Sequence, residues 1–359
     1  MKIYLHLLFF FLLPCFILSG QENIKFIEGQ ELTVIGKFHD EDGYARFPER
    51  YKSKLRPEVW SIGQRSTGIS ILFESDATRI AVRWTLAGEY VMLHTSTIAA
   101  RGVDLYVEAN GKWHFIQAGA PNGKTSEVML TSGEKPVMRK YLLNLPLNIR
   151  AESVFIGVNQ EAEIRKLDTP LSTRKPIVHY GSSITQAASA SRPGMAYTNI
   201  LSRWLDRSII NMGFSGQGTF DESVGEAMCE TDASLYIVDC NPNTEDSLIC
   251  ERAINLVRQL KTCRPDVPVL MVENFLYAIS YFRSDYLENN EIPNRKQLEL
   301  QKAYDTLLQS GIKELYYQKG KDLIGTDQEG TIDGAHPNDL GLYRFAETLY
   351  PTIQSIIRP

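Results

Sequence analysis

A serine on a glycine-led loop and a histidine closely preceded by an aspartate have the clearest capacity for chemistry in this sequence. Gly181-Ser182-Ser183-Ile184-Thr185 directly follows a short apolar run, Ile177–Tyr180. A serine at the end of a buried strand can present its hydroxyl to a substrate, and the glycine before it lets the backbone turn tightly. If a helix starts just beyond, its free N–H groups can stabilise a developing oxyanion. A serine hydroxyl is a poor nucleophile until a base accepts its proton. That base must be held in one tautomer by an acceptor on its other nitrogen. Asp333-Gly334-Ala335-His336-Pro337 supplies base and acceptor from one piece of chain, three residues apart. Taken singly, each segment reads as an ordinary turn. Together they read as a nucleophile, Ser183, with its base, His336, and the orienting carboxylate, Asp333.

Two more segments suit acyl transfer. Asn211-Met212-Gly213-Phe214-Ser215-Gly216-Gln217-Gly218 is rich in small residues that let backbone approach a substrate closely. Asp239-Cys240-Asn241-Pro242-Asn243 closes another apolar run, and an asparagine there can donate to an oxyanion. Gly213-Phe214-Ser215-Gly216-Gln217 offers a rival nucleophile, because it nearly makes a Gly-x-Ser-x-Gly elbow. Gln217 occupies the last glycine position, so Ser183 keeps the better claim.

These loops need a parallel sheet to gather them. After Asp168-Thr169-Pro170, buried-type runs at Ile177–Tyr180, Ser208–Met212, Leu235–Asp239 and Pro268–Val272 alternate with helical patterns at Tyr197–Asp206, Asp246–Lys261 and Arg295–Gln309. Strand and helix in alternation predict a parallel sheet covered on both faces, with its ligand beyond the carboxyl ends of the strands. Pro337 is expected in the first turn of a closing helix that contains Leu340–Tyr350. The first half reads differently. Glu31–Phe38, Gly68–Phe73, Arg79–Thr85 and Val103–Glu108 are short β-type runs parted by turn residues, with no helical period. Asn110-Gly111 between two such runs is a hairpin signal. The expectation is a β-sandwich, jelly-roll-like, over 21–168 and an α/β domain over 169–359. Trp60, Trp84 and Trp113 are expected in the core rather than on a sugar platform.

The 359 residues carry a net charge of −5, which disfavours nucleic acid as a partner. Residues 1–20 pair Lys2 with an apolar run, Leu7–Leu18, and the small residues Ser19 and Gly20, the pattern of a secretory signal peptide. Export to a secreted or periplasmic location follows, with no stable membrane span. Cys229, Cys240, Cys250 and Cys263 remain, with spacings of 11, 10 and 13 that match no zinc pattern. Structural thiols or one disulfide are expected, with pairing left open.

The segments Tyr180–Gln186, Asn211–Gly216, Asp239–Asn243 and Asp333–Pro337 resemble the four blocks of SGNH (GDSL-type) hydrolases. The resemblance implies a flavodoxin-like three-layer α/β/α domain and ester hydrolysis without a metal or other cofactor. Carried over by position, Ser183 is nucleophile and first oxyanion donor, Gly216 the second through its N–H, and Asn243 the third through its amide, while Asp333 and His336 complete the triad. The chain departs from the family pattern twice. Gly-Ser-Ser stands in place of Gly-Asp-Ser, and the third block lacks its Gly-x-Asn-Asp form, which leaves Asn241 as an alternative to Asn243. Gly102-Val103-Asp104-Leu105-Tyr106 and Ala190–Tyr197 resemble a branch with a β-rich Gly-x-Asp-Leu-Tyr domain, similar to carbohydrate esterases. The function implied is an exported serine esterase that removes small acyl groups, expected to be acetyl, from carbohydrates. The alternatives are a lipase or thioesterase for longer acyl chains and an inactive glycan-binding protein. Arg192 either contacts substrate or orders its own loop, the second being favoured.

Overall fold

The computed structural model describes residues 23–89, 93–282 and 294–357. The expected leader at 1–20 lies outside them.

The β-rich half contains β1 (Ile24–Glu28), β2 (Thr33–Ile35), β3 (Ser70–Ser75), β4 (Arg79–Leu86), β5 (Val103–Ala109), β6 (Lys112–Gly119), β7 (Thr125–Ser132), β8 (Arg139–Asn144), β9 (Ala151–Asn159) and β10 (Ile164–Lys166). They form two antiparallel sheets, ordered β1-β9-β4-β7 and β10-β3-β8-β5-β6, with β2 on β3. Ile71, Phe73, Leu105 and Leu143 from one sheet share a buried cluster with Val82, Trp84, Val154 and Ile156 from the other. That shared core makes a sandwich. Trp84 is fully buried, and its indole donates to the Arg101 carbonyl at 2.9 Å, which satisfies its one polar group. Asn110 and Gly111 turn the β5–β6 hairpin with φ of 53° and 73°, the positive values a two-residue type I′ turn requires.

Sequence periodicity misses two short helices here, α1 (Pro57–Gly63) and α2 (Thr97–Arg101), each under two turns or close to it. A 3-10 turn at Gly29–Glu31 also takes the start of the expected 31–38 strand, leaving only β2.

From residue 170 the chain runs α3 (Pro170–Thr173), β11 (Ile177–Gly181), α4 (Tyr197–Leu205), β12 (Ile209–Gly213), α5 (Glu222–Glu230), β13 (Leu235–Asp239), α6 (Asp246–Cys263), β14 (Val269–Val272), α7 (Arg295–Gln309), β15 (Leu315–Gln318) and α8 (Asp339–Ile356). The five strands pair in parallel in the order β12-β11-β13-β14-β15. Counted within the unit this is 2-1-3-4-5, the flavodoxin-like order, whose ligand site lies at the switch point beside the first strand. Val224, Ile249 and Leu300 of α5, α6 and α7 cover one face, and Ile200, Leu342 and Phe345 of α4 and α8 cover the other. Strand β15 and helix α5 went unread, because Tyr316 and Tyr317 break the apolar run and α5 mixes glutamates with few large apolar residues. Cys229 at the end of α5 is disulfide-bonded to Cys263 at the end of α6, and Cys240 and Cys250 are free thiols. Among the described residues no helix is long and apolar enough to cross a membrane.

His179 in β11 is completely buried, its Nε2 is 3.2 Å from the Tyr197 hydroxyl, and burial holds its pKa down to about 3. An unfolded histidine takes its proton near pH 6.5, so between those values the unfolded chain binds the extra proton and acid favours unfolding. Stability should therefore fall on acidification from about pH 6.5, by up to about 1.4 kcal/mol per pH unit from this group. Urea midpoints at stepped pH should show that slope in the native chain and a flatter one in His179→Phe.

Candidate active site

Parallel pairing places the ends of β11, β12 and β13 side by side, in register at Gly181, Gly213 and Asp239. The loops that follow therefore share one edge of the sheet. After β11, the segment through Ser189 is a run of turns, with Gln186 N–H on Ser182 O, Ala187 N–H on Ile184 O and Ala188 N–H on Ser183 O. The expected helix does not start here. Ala187 adopts φ of 58°, outside right-handed helix, and α4 waits until Tyr197. Gly181 serves close approach: a Cβ there would stand 2.0 Å from Thr185 Oγ1 and 2.8 Å from Asp239 O.

The Asp333–His336 segment is a tight loop closed by Ile332 N–H on His336 O at 2.9 Å, with Gly334 at φ of 86°. Pro337 lies outside the helix it was expected to start. Asn338 is the cap of α8, its side chain accepting from Gly341 N–H at 3.1 Å, and Pro337 bridges back to Thr331. This loop brings His336 Nε2 to 3.1 Å from Ser183 Oγ and His336 Nδ1 to 2.7 Å from Asp333 Oδ2. A carboxylate only accepts, so Nδ1 carries the proton and Nε2 is left to accept from the serine. Asp333 Oδ1 also takes the N–H groups of His336 at 2.7 Å and Ala335 at 3.0 Å. Partial burial pushes the Asp333 pKa up, but those N–H groups and the imidazole outweigh it and hold the carboxyl at about 2. Ser215, the rival, has no histidine partner among the described residues, and its N–H donates to Gln186 Oε1 at 3.1 Å.

Gly216 has φ of 72° and an open surrounding, with nothing within 4 Å of a built Cβ. Gly216 is thus exposed, in the loop that follows β12. Asn243 is half-buried, and its Oδ1 accepts from Gly218 N–H at 3.3 Å, which orients the amide and leaves Nδ2 for another acceptor. Asn241 is fully buried and its amide already donates to Asn274 Oδ1 at 2.8 Å. The geometry thus favours Asn243.

Sequence reasoning missed how strongly the β-rich half holds this edge. Arg46, 2% exposed, donates to the carbonyls of Asn211 at 3.0 Å, Gly213 at 2.7 Å and Ile62 at 2.7 Å, pinning the end of β12. Arg56 grips Asp221 at 2.7 Å and Gln217 at 2.7 Å, just past Gly216. Nothing in a lone arginine within a β-type stretch signals such a role. The Gly102–Tyr106 motif acts as a second clamp. Asp104 accepts from Arg192 at 2.8 Å and from Gly194 N–H at 2.8 Å, and Tyr106 OH lies 2.5 Å from Arg192. Arg192 thus orders its own loop, stacked at 3.9 Å over Phe115. His94 was also missed, although only six histidines occur in the chain. Its ring stacks on that of His336 with centroids 4.8 Å apart and planes 19° from parallel. His94, Asp333 and His336 each place one metal-ligating atom within 4.8 Å of the others, but both nitrogens of His336 are engaged by Ser183 and Asp333.

Comparisons with known proteins bear on the family and the fold. A family model described as GDSL-like lipase/acylhydrolase matches residues 174–354, and one for the GxDLY N-terminus of SGNH-type esterases matches 24–164. A solved structure described as a GDSL-like lipase of Bacteroides ovatus is 35% identical, with TM-score 0.87, over 93% of this chain and 98% of that one. The salicylyl-acyltransferase SsfX3 of a tetracycline biosynthetic pathway is 15% identical, with TM-score 0.75, over 93% of this chain and 99% of its own. A family two carbohydrate esterase of Clostridium thermocellum in complex with cellohexaose is 14% identical, with TM-score 0.56, over 80% of this chain and 92% of its own. A search of curated proteins finds no match. The last two structures share the fold at low identity. The family model and the Bacteroides structure carry the assignment: this chain belongs to the GDSL-like lipase/acylhydrolase family, with the GxDLY domain of SGNH-type esterases at its N-terminus.

Proposed function

We propose that the chain is an exported serine esterase that hydrolyses acetyl esters on carbohydrates. The observation that carries the reading is the relay Ser183 Oγ–His336 Nε2–Asp333, at 3.1 and 2.7 Å, on the carboxyl edge of the sheet. Ser183 Oγ attacks the acyl carbon while His336 Nε2 takes its proton. The carbonyl oxygen becomes an oxyanion, which the N–H groups of Ser183 and Gly216 and the Asn243 amide stabilise. His336 then returns the proton to the departing alcohol oxygen, leaving an acyl-serine. Water, deprotonated by His336, attacks the acyl-serine and releases the acid and free Ser183.

Two observations support the carbohydrate reading. The Clostridium thermocellum neighbour is a carbohydrate esterase in complex with cellohexaose, and another neighbour, from Butyrivibrio proteoclasticus, is an acetyl xylan esterase. Export is supported by the Lys2-led apolar leader. A lipase acting on longer chains is the second reading, favoured by the description of the 35%-identical Bacteroides structure. The two separate on acyl length. The esterase proposed here turns over p-nitrophenyl acetate at least about 10-fold faster, as kcat/KM, than the octanoate ester. A preference for octanoate would establish the lipase reading instead. Turnover of neither ester would favour an inactive glycan-binding protein.

A further inference from the structure

Resting on the serine-esterase reading, the site must also hold the alcohol half of its ester, and the place for it follows from proton transfer. The departing oxygen has to come within hydrogen-bond reach of His336 Nε2, so the alcohol lies on the histidine side of Ser183. The other two proposed oxyanion donors, Gly216 and Asn243, belong to different loops, those after β12 and β13. On the histidine side the structure has a cavity of about 480 Å³ between the two domains. That volume lies within the range of small-ligand pockets, roughly 300–1,000 Å³.

The residues lining this cavity are mostly polar, but its open surface is mostly apolar, and most of the polar groups are already engaged. Ser96 accepts from Ile98 N–H at 3.1 Å, Asp339 accepts from Ser191 N–H at 2.8 Å, and Asn338 donates to Glu329 O at 2.8 Å. Two groups differ. His94 Nε2 and Ser189 Oγ are buried with no hydrogen-bond partner, and Ser189 is 8% exposed. A buried polar atom without a partner is destabilising, and such atoms in a cleft are explained by a ligand that completes them. The two are also held together. Thr95 Oγ1 donates to Ala188 O at 2.5 Å, tying the loop of His94 to the turn that ends in Ser189. Stacking on His336 fixes the His94 ring in addition. The β-rich domain thus supplies one side of the subsite and the nucleophile loop the other.

We infer that this cavity binds the alcohol half of the ester as a polyhydroxylated ring, with His94 Nε2 and Ser189 Oγ hydrogen-bonded to hydroxyls that flank the ester. Both residues set specificity for the leaving group, and neither transfers a proton in the reaction. A sugar fits this arrangement, whereas a hydrocarbon alcohol leaves both groups unpartnered.

The test compares monoacetates of methyl β-D-xylopyranoside with cyclohexyl acetate, a ring of similar size without hydroxyls, as a ratio of kcat/KM. The full chain is expected to prefer the xyloside by about 100-fold. His94→Phe keeps a ring to stack and removes the nitrogens. It should cut the preference about 10-fold, and Ser189→Ala should do so independently, so that one variant suffices if the other misfolds. In the double variant the ratio should come within about 2-fold of unity. Rates that fall in proportion for both esters, with the ratio intact, would make His94 a structural prop and overturn the inference. A native chain without preference for the xyloside would overturn it equally. Ser183→Ala separates the underlying reading: if that variant hydrolyses both esters like the native chain, the serine mechanism fails, whatever the ratio shows.

Discussion

Ser183→Ala is expected to lower kcat for p-nitrophenyl acetate by roughly 10⁴- to 10⁶-fold. The fold should barely notice. The serine Oγ hydrogen-bonds to His336, so its loss removes one bond worth about 0.5–1.5 kcal/mol and shifts the thermal midpoint by no more than a few degrees. His336→Ala should fall to the same residual rate, and the double variant no further, because nucleophile and base act as one unit. Asp333→Asn should retain more. Its carboxylate sits at a pKa of about 2, hence charged through the working pH range, and contributes by orienting and stabilising the imidazolium that forms. The oxyanion donors survive its loss. Steady-state kinetics on the variants, beside thermal unfolding, tests the whole set. A Ser183→Ala enzyme that loses activity only by unfolding would sink the assignment.

Arg46→Met is expected to be the most damaging single change in the β-rich half. The guanidinium is completely buried and satisfies three carbonyls on two segments, one from each domain. Methionine keeps much of the volume and removes every donor, leaving buried acceptors unpaired. At about 1–3 kcal/mol per orphaned group, the three acceptors imply a loss of at least about 3 kcal/mol. Arg56→Met is the informative contrast. Its ion pair with Asp221 is 40% exposed on the arginine side, so solvent screens it, and roughly 1 kcal/mol is expected. Urea unfolding of the two variants should place Arg46→Met well below Arg56→Met. Equal midpoints would mean that the end of β12 does not depend on the neighbouring domain.

The pattern of what the sequence disclosed is itself physical. Strands β11 to β14 and helices α4, α6 and α7 of the α/β unit were legible because each buries one continuous run or stripe, which β15 and α5 lack. Arg295–Gln309 and Leu235–Asp239 match the observed elements end to end. Asn110-Gly111 marked its hairpin because few residue pairs tolerate two positive φ values in succession. The site loops were legible because Ser183, Asp333 and His336 belong to short local motifs. What stayed hidden depends on contacts between distant segments. Arg46 is 165 residues from Asn211, and His94 lies on a different domain from the imidazole it stacks upon. No local pattern encodes such a meeting, and neither α1 nor α2 is long enough to show a helical period. The disulfide was undetermined for the same reason: Cys229 and Cys263 meet only because α5 and α6 end together.

Everything proposed for this site depends on Ser183, activated by His336, being the nucleophile. Labelling the full chain with diisopropyl fluorophosphate and locating the adduct by peptide mass mapping tests it most directly. One equivalent on Ser183 is expected, lost in Ser183→Ala and strongly slowed in His336→Ala. An adduct on Ser215, or undiminished labelling of Ser183→Ala, would contradict it.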